Sequence, residues 1–91
     1  MSVELQILRA VRELPNARGS LKDVAPYVDG LRPAHLVAFA RHLVELERLN
    51  IAVRPPRGNP YTSETTIYTI SPRGIARIDE LERRAFQESS R

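Results

Sequence analysis

Cysteine and tryptophan are absent from this 91-residue chain, and glycine occurs only four times. Without cysteine there can be no disulfide and no thiolate metal site. Aromatic residues make up 5% of the chain, so a core drawn from its 42% hydrophobic content must be aliphatic, built from Leu, Ile and Val. Long apolar runs are missing too. The opening MSVELQILRAV is broken by acidic and polar residues, which excludes a signal peptide or membrane span there. A soluble, cytoplasmic protein is the expectation. There is no glycine-rich phosphate loop and no carboxylate pair at a telling spacing, and the serines have no histidine near them in sequence. Neither an enzyme nor a bound cofactor is expected.

Charge is present but nearly balanced, at a net +3. Its distribution says more than its sum. Residues 1–31 balance, with Arg9, Arg12, Arg18 and Lys22 against Glu4, Glu13, Asp23 and Asp29. The tail from residue 66 holds five arginines against four acids. Between them, Arg32, Arg41, Arg48, Arg54 and Arg57 face only Glu45, Glu47 and Glu64, so much of the surplus sits in the middle. All basic residues but Lys22 are arginine, which suits bidentate contact with phosphates or base edges. Biased codon usage or a heat-adapted source accounts for the arginine at least as well.

Periodicity supplies the elements of one domain spanning 1–91. Ile7, Leu8, Val11 and Leu14 fall at helical spacing over residues 3–14, and Pro15, Asn16 and Gly19 end that helix. Ser20 can cap a second helix, with Asp23 completing a capping box and Leu21, Val24 and Val28 on one face. Pro26 lies inside it, which predicts a short or kinked segment. Pro33 is placed to start a third helix over about 33–49, with Leu36, Phe39, Ala40, Leu43, Leu46 and Leu49 as its apolar stripe and Asn50 as its stop. Its other face carries His35, Ala38, Arg41, His42, Glu45 and Arg48. A strand at Ile51–Val53, a long polar loop and a return strand TIYTI then form a hairpin. Ser71 and Pro72 open a last helix to about residue 88, with Ile75, Ile78 and Leu81 along one side. The class is α+β, mostly α. Tyr27 is expected half-buried and Tyr68 inward-facing.

With those elements in place, the chain resembles the winged helix-turn-helix transcriptional regulators in their PadR-like and MarR-like forms. LVAFARHLVELERLNIAVRP is similar to a recognition helix running into a first wing strand, and YTISPRGIARIDELE to the start of the last helix, where Gly74 matches the family's glycine. The resemblance implies a three-helix core, a two-stranded hairpin wing over about 55–65 and a C-terminal helix. It also implies that the third helix enters the major groove of double-stranded DNA while the wing lies on the backbone or in the minor groove. The residues offer chemistry for that role. Arg54, Arg57, Asn59, Thr62 and Thr65 supply cationic and hydrogen-bonding groups, and Gly58 lets backbone approach a phosphate. Arg32, His35, Arg41 and His42 can reach bases or phosphates, and Ala38 offers a small surface. Ser20 and Lys22 are phosphate candidates at the second helix.

A repressor acting by occlusion is therefore the expected function, with no metal site: His35, His42 and Glu45 share a face but lack a fourth ligand. The last helix is expected to join a homodimer through Ile75, Ile78, Leu81 and Phe86, placing two third helices about one DNA turn apart. The alternative is the same fold used as a protein-interaction module, as a subunit of a larger complex or a viral accessory protein, without DNA binding.

Overall fold

In the computed structural model, which describes residues 2–89, local signals set the first half of the chain. Ser2 caps helix α1 (Val3–Glu13), accepting a hydrogen bond from the Leu5 amide at 3.2 Å. Leu5, Ile7, Leu8, Ala10 and Val11 form its buried side. Pro15–Ala17 makes a single 3-10 turn with Asn16 and Ala17 in the left-handed region, and a two-residue strand β1 (Arg18–Gly19) follows. Ser20 and Asp23 close a full capping box on α2 (Leu21–Val24). Pro26 turns the chain into a 3-10 segment at Ala25–Tyr27, so the second helix is short, as the proline requires. Tyr27, in this turn, projects into solvent at 63% exposure rather than lying half-buried.

Helix α3 (Pro33–Glu45) buries Leu36, Ala40 and Leu43. It stops four residues before the expected end. Leu46 caps it, and Glu47 takes a left-handed φ of 61°. The Glu47 amide bonds to the Val44 carbonyl at 3.0 Å and the Arg48 amide to Leu43 at 2.9 Å, the paired bonds of a Schellman stop. Leu49 and Asn50 thereby leave the helix and begin strand β2 (Leu49–Val53). Strand β3 (Ile67–Ile70) pairs with β2 on one side and β1 on the other, giving a three-stranded antiparallel sheet in the order β1-β3-β2. Tyr68 lies opposite Ile51 and Gly19, with a register irregularity between Ile51 and Val53. The third strand was not expected.

Helix α4 (Pro72–Ser89) is fastened at its start to the end of α3. The Ser71 hydroxyl donates to the Glu47 carbonyl at 2.5 Å and accepts from the Gly74 amide at 3.0 Å. The Ser71 amide reaches the Arg48 carbonyl at 3.2 Å. Glu4 fixes α1 to this corner, accepting from Arg48 and, at 3.2 Å, from Arg77. Arg9 pairs with Glu82 further along at 3.3 Å. The fold is thus a mostly helical α+β domain of four helices and one small sheet. Among the described residues no helix is long and apolar enough to cross a membrane.

Tyr68 sits in the core at 1% exposure, and its hydroxyl has no hydrogen-bond partner among the described residues. Burial pushes its phenol up to about 12, and the neighbouring Tyr61 adds to the rise. The unfolded chain therefore ionises this group first, near its ordinary value of 10. Stability is constant below that pH on this account and falls as the pH rises toward the folded value. Replacing Tyr68 by phenylalanine is expected to leave neutral-pH stability unchanged or raise it by up to ~1 kcal/mol, since only an unpaired hydroxyl is lost. It should also remove ~1 kcal/mol of the alkaline loss, read by urea unfolding at pH 8 and pH 11.

Candidate functional site

The solvent face of α3 is built by spacing. Ala34, Ala38, Arg41 and Glu45 follow one another at intervals of four, three and four and fall on one line of the helix, all exposed. His35 and His42 flank the line and are exposed as well. The two alanines give its first half a low profile, and the charged pair stands on the second half. Arg41 Nε donates to Glu45 Oε1 at 3.0 Å. Glu45 is therefore the partner of Arg41, while Arg48 is committed to Glu4. Among the described residues no three potential ligands gather around a cation position, so His35, His42 and Glu45 form no such cluster.

The loop between β2 and β3 divides into two halves. Residues 54–59 carry Arg54, Pro56, Arg57, Gly58 and Asn59 in the open, with Gly58 at a φ of 84° that glycine adopts without strain. The second half curls back on the body. Pro60–Thr62 forms a 3-10 turn initiated by Asn59, whose side-chain oxygen accepts from the Tyr61 amide at 2.8 Å. Thr62 Oγ1 donates to the Asn59 carbonyl at 3.2 Å, and the buried Thr66 hydroxyl to the Pro60 carbonyl. Tyr61 packs on the core. An open groove of about 380 Å³ runs between this turn and the helices, with Lys22 and Leu21 from α2, Pro33 and Val37 from α3, and Tyr61 and Thr62 on its walls.

The expected contact residues meet different fates. Lys22 and Thr62 come together with the start of α3 at that groove. Arg32 is exposed just before the helix. Ser20 is 8% exposed and engaged with Asp23 through its backbone and hydroxyl, so it is not available to a phosphate. Asn59 and Thr62 spend one hydrogen-bonding group each on the loop itself.

Ion pairing sorts the cations. On α4, Arg73 pairs with Glu47, Arg77 with Glu4 and Glu80, and Arg84 with Glu80, while Arg83 donates to the Asp79 carbonyl. The hydrogen bond from Arg77 holds the Glu80 carboxyl below its ordinary range. Arg83 has no ion pair, and neither do Arg12, Arg18, Lys22, Arg32, Arg54 and Arg57, all exposed, among the described residues. Four of these seven lie in α2, directly before α3 or in the β2–β3 loop. Residue counting placed a surplus there, but only the structure shows which arginines are offset.

The expected dimer stripe is divided. Ile78 is 0% exposed inside the domain core and Leu81 packs against that core, so neither presents an open surface for a second chain. The reason is that α4 lies on α1, and the stripe fills that seam. Ile75 at 46% and Phe86 at 73% are the exposed members.

Compared with protein-family models and with curated proteins, the chain matches none.

Proposed function

We propose that this chain is a sequence-specific double-stranded DNA-binding regulator of the winged helix-turn-helix kind, acting in the cytoplasm as a repressor by occlusion and not as an enzyme. In this reading α3 lies in the major groove and residues 54–59 reach the flanking backbone or minor groove. The order of elements and the three-stranded sheet are compatible with that architecture. The observation that carries the reading is the sorting of charge: three of the four α4 arginines, Arg73, Arg77 and Arg84, are offset by glutamates, while Lys22, Arg32, Arg54 and Arg57, around α3, are not. Unpaired exposed arginines meet phosphates without first losing an internal partner. A homodimer through the outer side of α4 accompanies this reading, with Ile75 and Phe86 as its apolar contacts.

Equilibrium binding to random-sequence duplex across a salt series is the test. Affinity should fall steeply with salt, with a log–log slope of about −0.9 for each phosphate neutralised. Undetectable binding at low salt would instead favour the use of the fold as a protein-interaction module, which the exposed Phe86 would serve.

A further inference from the structure

On the exposed line of α3, Arg41 and Glu45 do not act as two separate charges. Their hydrogen bond runs from Arg41 Nε to a single carboxylate oxygen, Oε1, at 3.0 Å. The two terminal guanidinium nitrogens of Arg41 and the second oxygen of Glu45 are not used in it. The couple therefore leaves two donor nitrogens and one acceptor oxygen for a ligand on the exposed line of the helix. Both side chains are about 60% exposed, at 63% and 59%, so these groups are open to solvent. Ala34 and Ala38 precede them on the same line and add no bulk that would hold the helix away from a groove floor.

The major-groove edge of a G·C pair reads acceptor (N7), acceptor (O6), donor (N4), which calls for two donors and one acceptor side by side. An A·T pair reads acceptor, donor, acceptor, which sets its N6 amino group against a guanidinium nitrogen and its O4 against the carboxylate. We propose that Arg41 and Glu45 act as one unit that reads a single G·C base pair, the arginine on guanine and the glutamate on the cytosine amino group. This rests on the DNA-binding reading above and deepens it: the target is a duplex with a required G·C pair under the second half of α3. Glu45 is on this account a specificity residue, and its carboxylate costs general affinity for a polyanion in return for discrimination.

That opposition gives the test. Duplexes are selected from a random library by the full-length protein and by its Arg41→Ala and Glu45→Ala variants, and the affinities of the selected and of unrelated duplexes are measured. Both sites are exposed, so the fold should be unaffected. The wild type is expected to require G·C at one position, and Arg41→Ala to lose that preference by roughly ten- to a hundredfold. Glu45→Ala should weaken the preference at the same position while strengthening binding to unrelated duplex. Two results would overturn the proposal: unchanged selected sequences in both variants, or a Glu45→Ala variant that binds every duplex more tightly by the same factor. Wild-type protein that retains no duplex at all would remove the DNA-binding reading along with it, an outcome distinct from either.

Discussion

Replacing Gly74 by alanine is expected to destabilise the domain by ~2–4 kcal/mol, although alanine is the better helix former by about 1 kcal/mol. A Cβ at this position would lie 2.2 Å from the Arg48 carbonyl oxygen and 2.8 Å from Ile70 Cγ1. The first neighbour is backbone, and it cannot swing aside. It directly follows the Schellman stop of α3, and the Ser71 amide holds it at 3.2 Å. Relief would require α4 to slide outward, straining the Ser71 bonds and loosening the seam in which Ile78 is buried. At about 4–8 °C per kcal/mol for a domain of this size, the melting temperature should drop by roughly 8–32 °C. A melting temperature equal to or above the wild type's would show that the helix start is not held this closely. The glycine of the family-like segment thus has a packing role in this chain, independent of any ligand.

Substituting Arg54 and Arg57 together by alanine should leave the melting temperature within the usual range for exposed sites, since neither makes an ion pair among the described residues. Duplex binding is another matter. If each arginine neutralises one phosphate, the slope of log affinity against log salt should flatten by about 1.8. Affinity at low salt should fall by roughly ten- to a hundredfold. Arg84→Ala is the control, because that guanidinium is already paired with Glu80 at 2.9 Å on α4. Equal losses from the control and the double variant would mean that net charge, not the β2–β3 loop, governs association.

Several parts of this architecture are legible in short stretches of sequence. Pro33 at a helix start, the Ser20–Asp23 capping box, the stripe of Leu36, Ala40 and Leu43, and the Ser71–Pro72 opening of α4 each depend on neighbours a few residues away. The end of α3 is not legible in this way. A glutamate in the left-handed conformation has no local preference to announce it, and Glu47 is held there by Ser71, 24 residues further on. The strand at Arg18–Gly19 is only two residues long and exists through its pairing with β3. The long polar loop was legible as a loop, but its course was not. Its second half folds back because Tyr61 finds apolar cover and Thr66 a carbonyl partner.

The candidate site divides along the same line. That Arg41, His42 and Ala38 share an exposed side follows from periodicity, and the arginine surplus around α3 follows from counting. Which arginines are offset could not follow from either, since Glu4 meets Arg48 and Arg77 across 44 and 73 residues of sequence. Likewise, Ile75 and Ile78 look alike in a helical stripe, and only the position of α1 decides that one is core and the other surface.

Backbone amide shifts of the labelled protein titrated with a short G·C-containing duplex test the central claim most directly. The account predicts that perturbations gather on Ala34–Glu45 and on residues 54–59 in the same titration, with the outer side of α4 silent. Perturbations confined to α4, or to one of the two segments without the other, would contradict it.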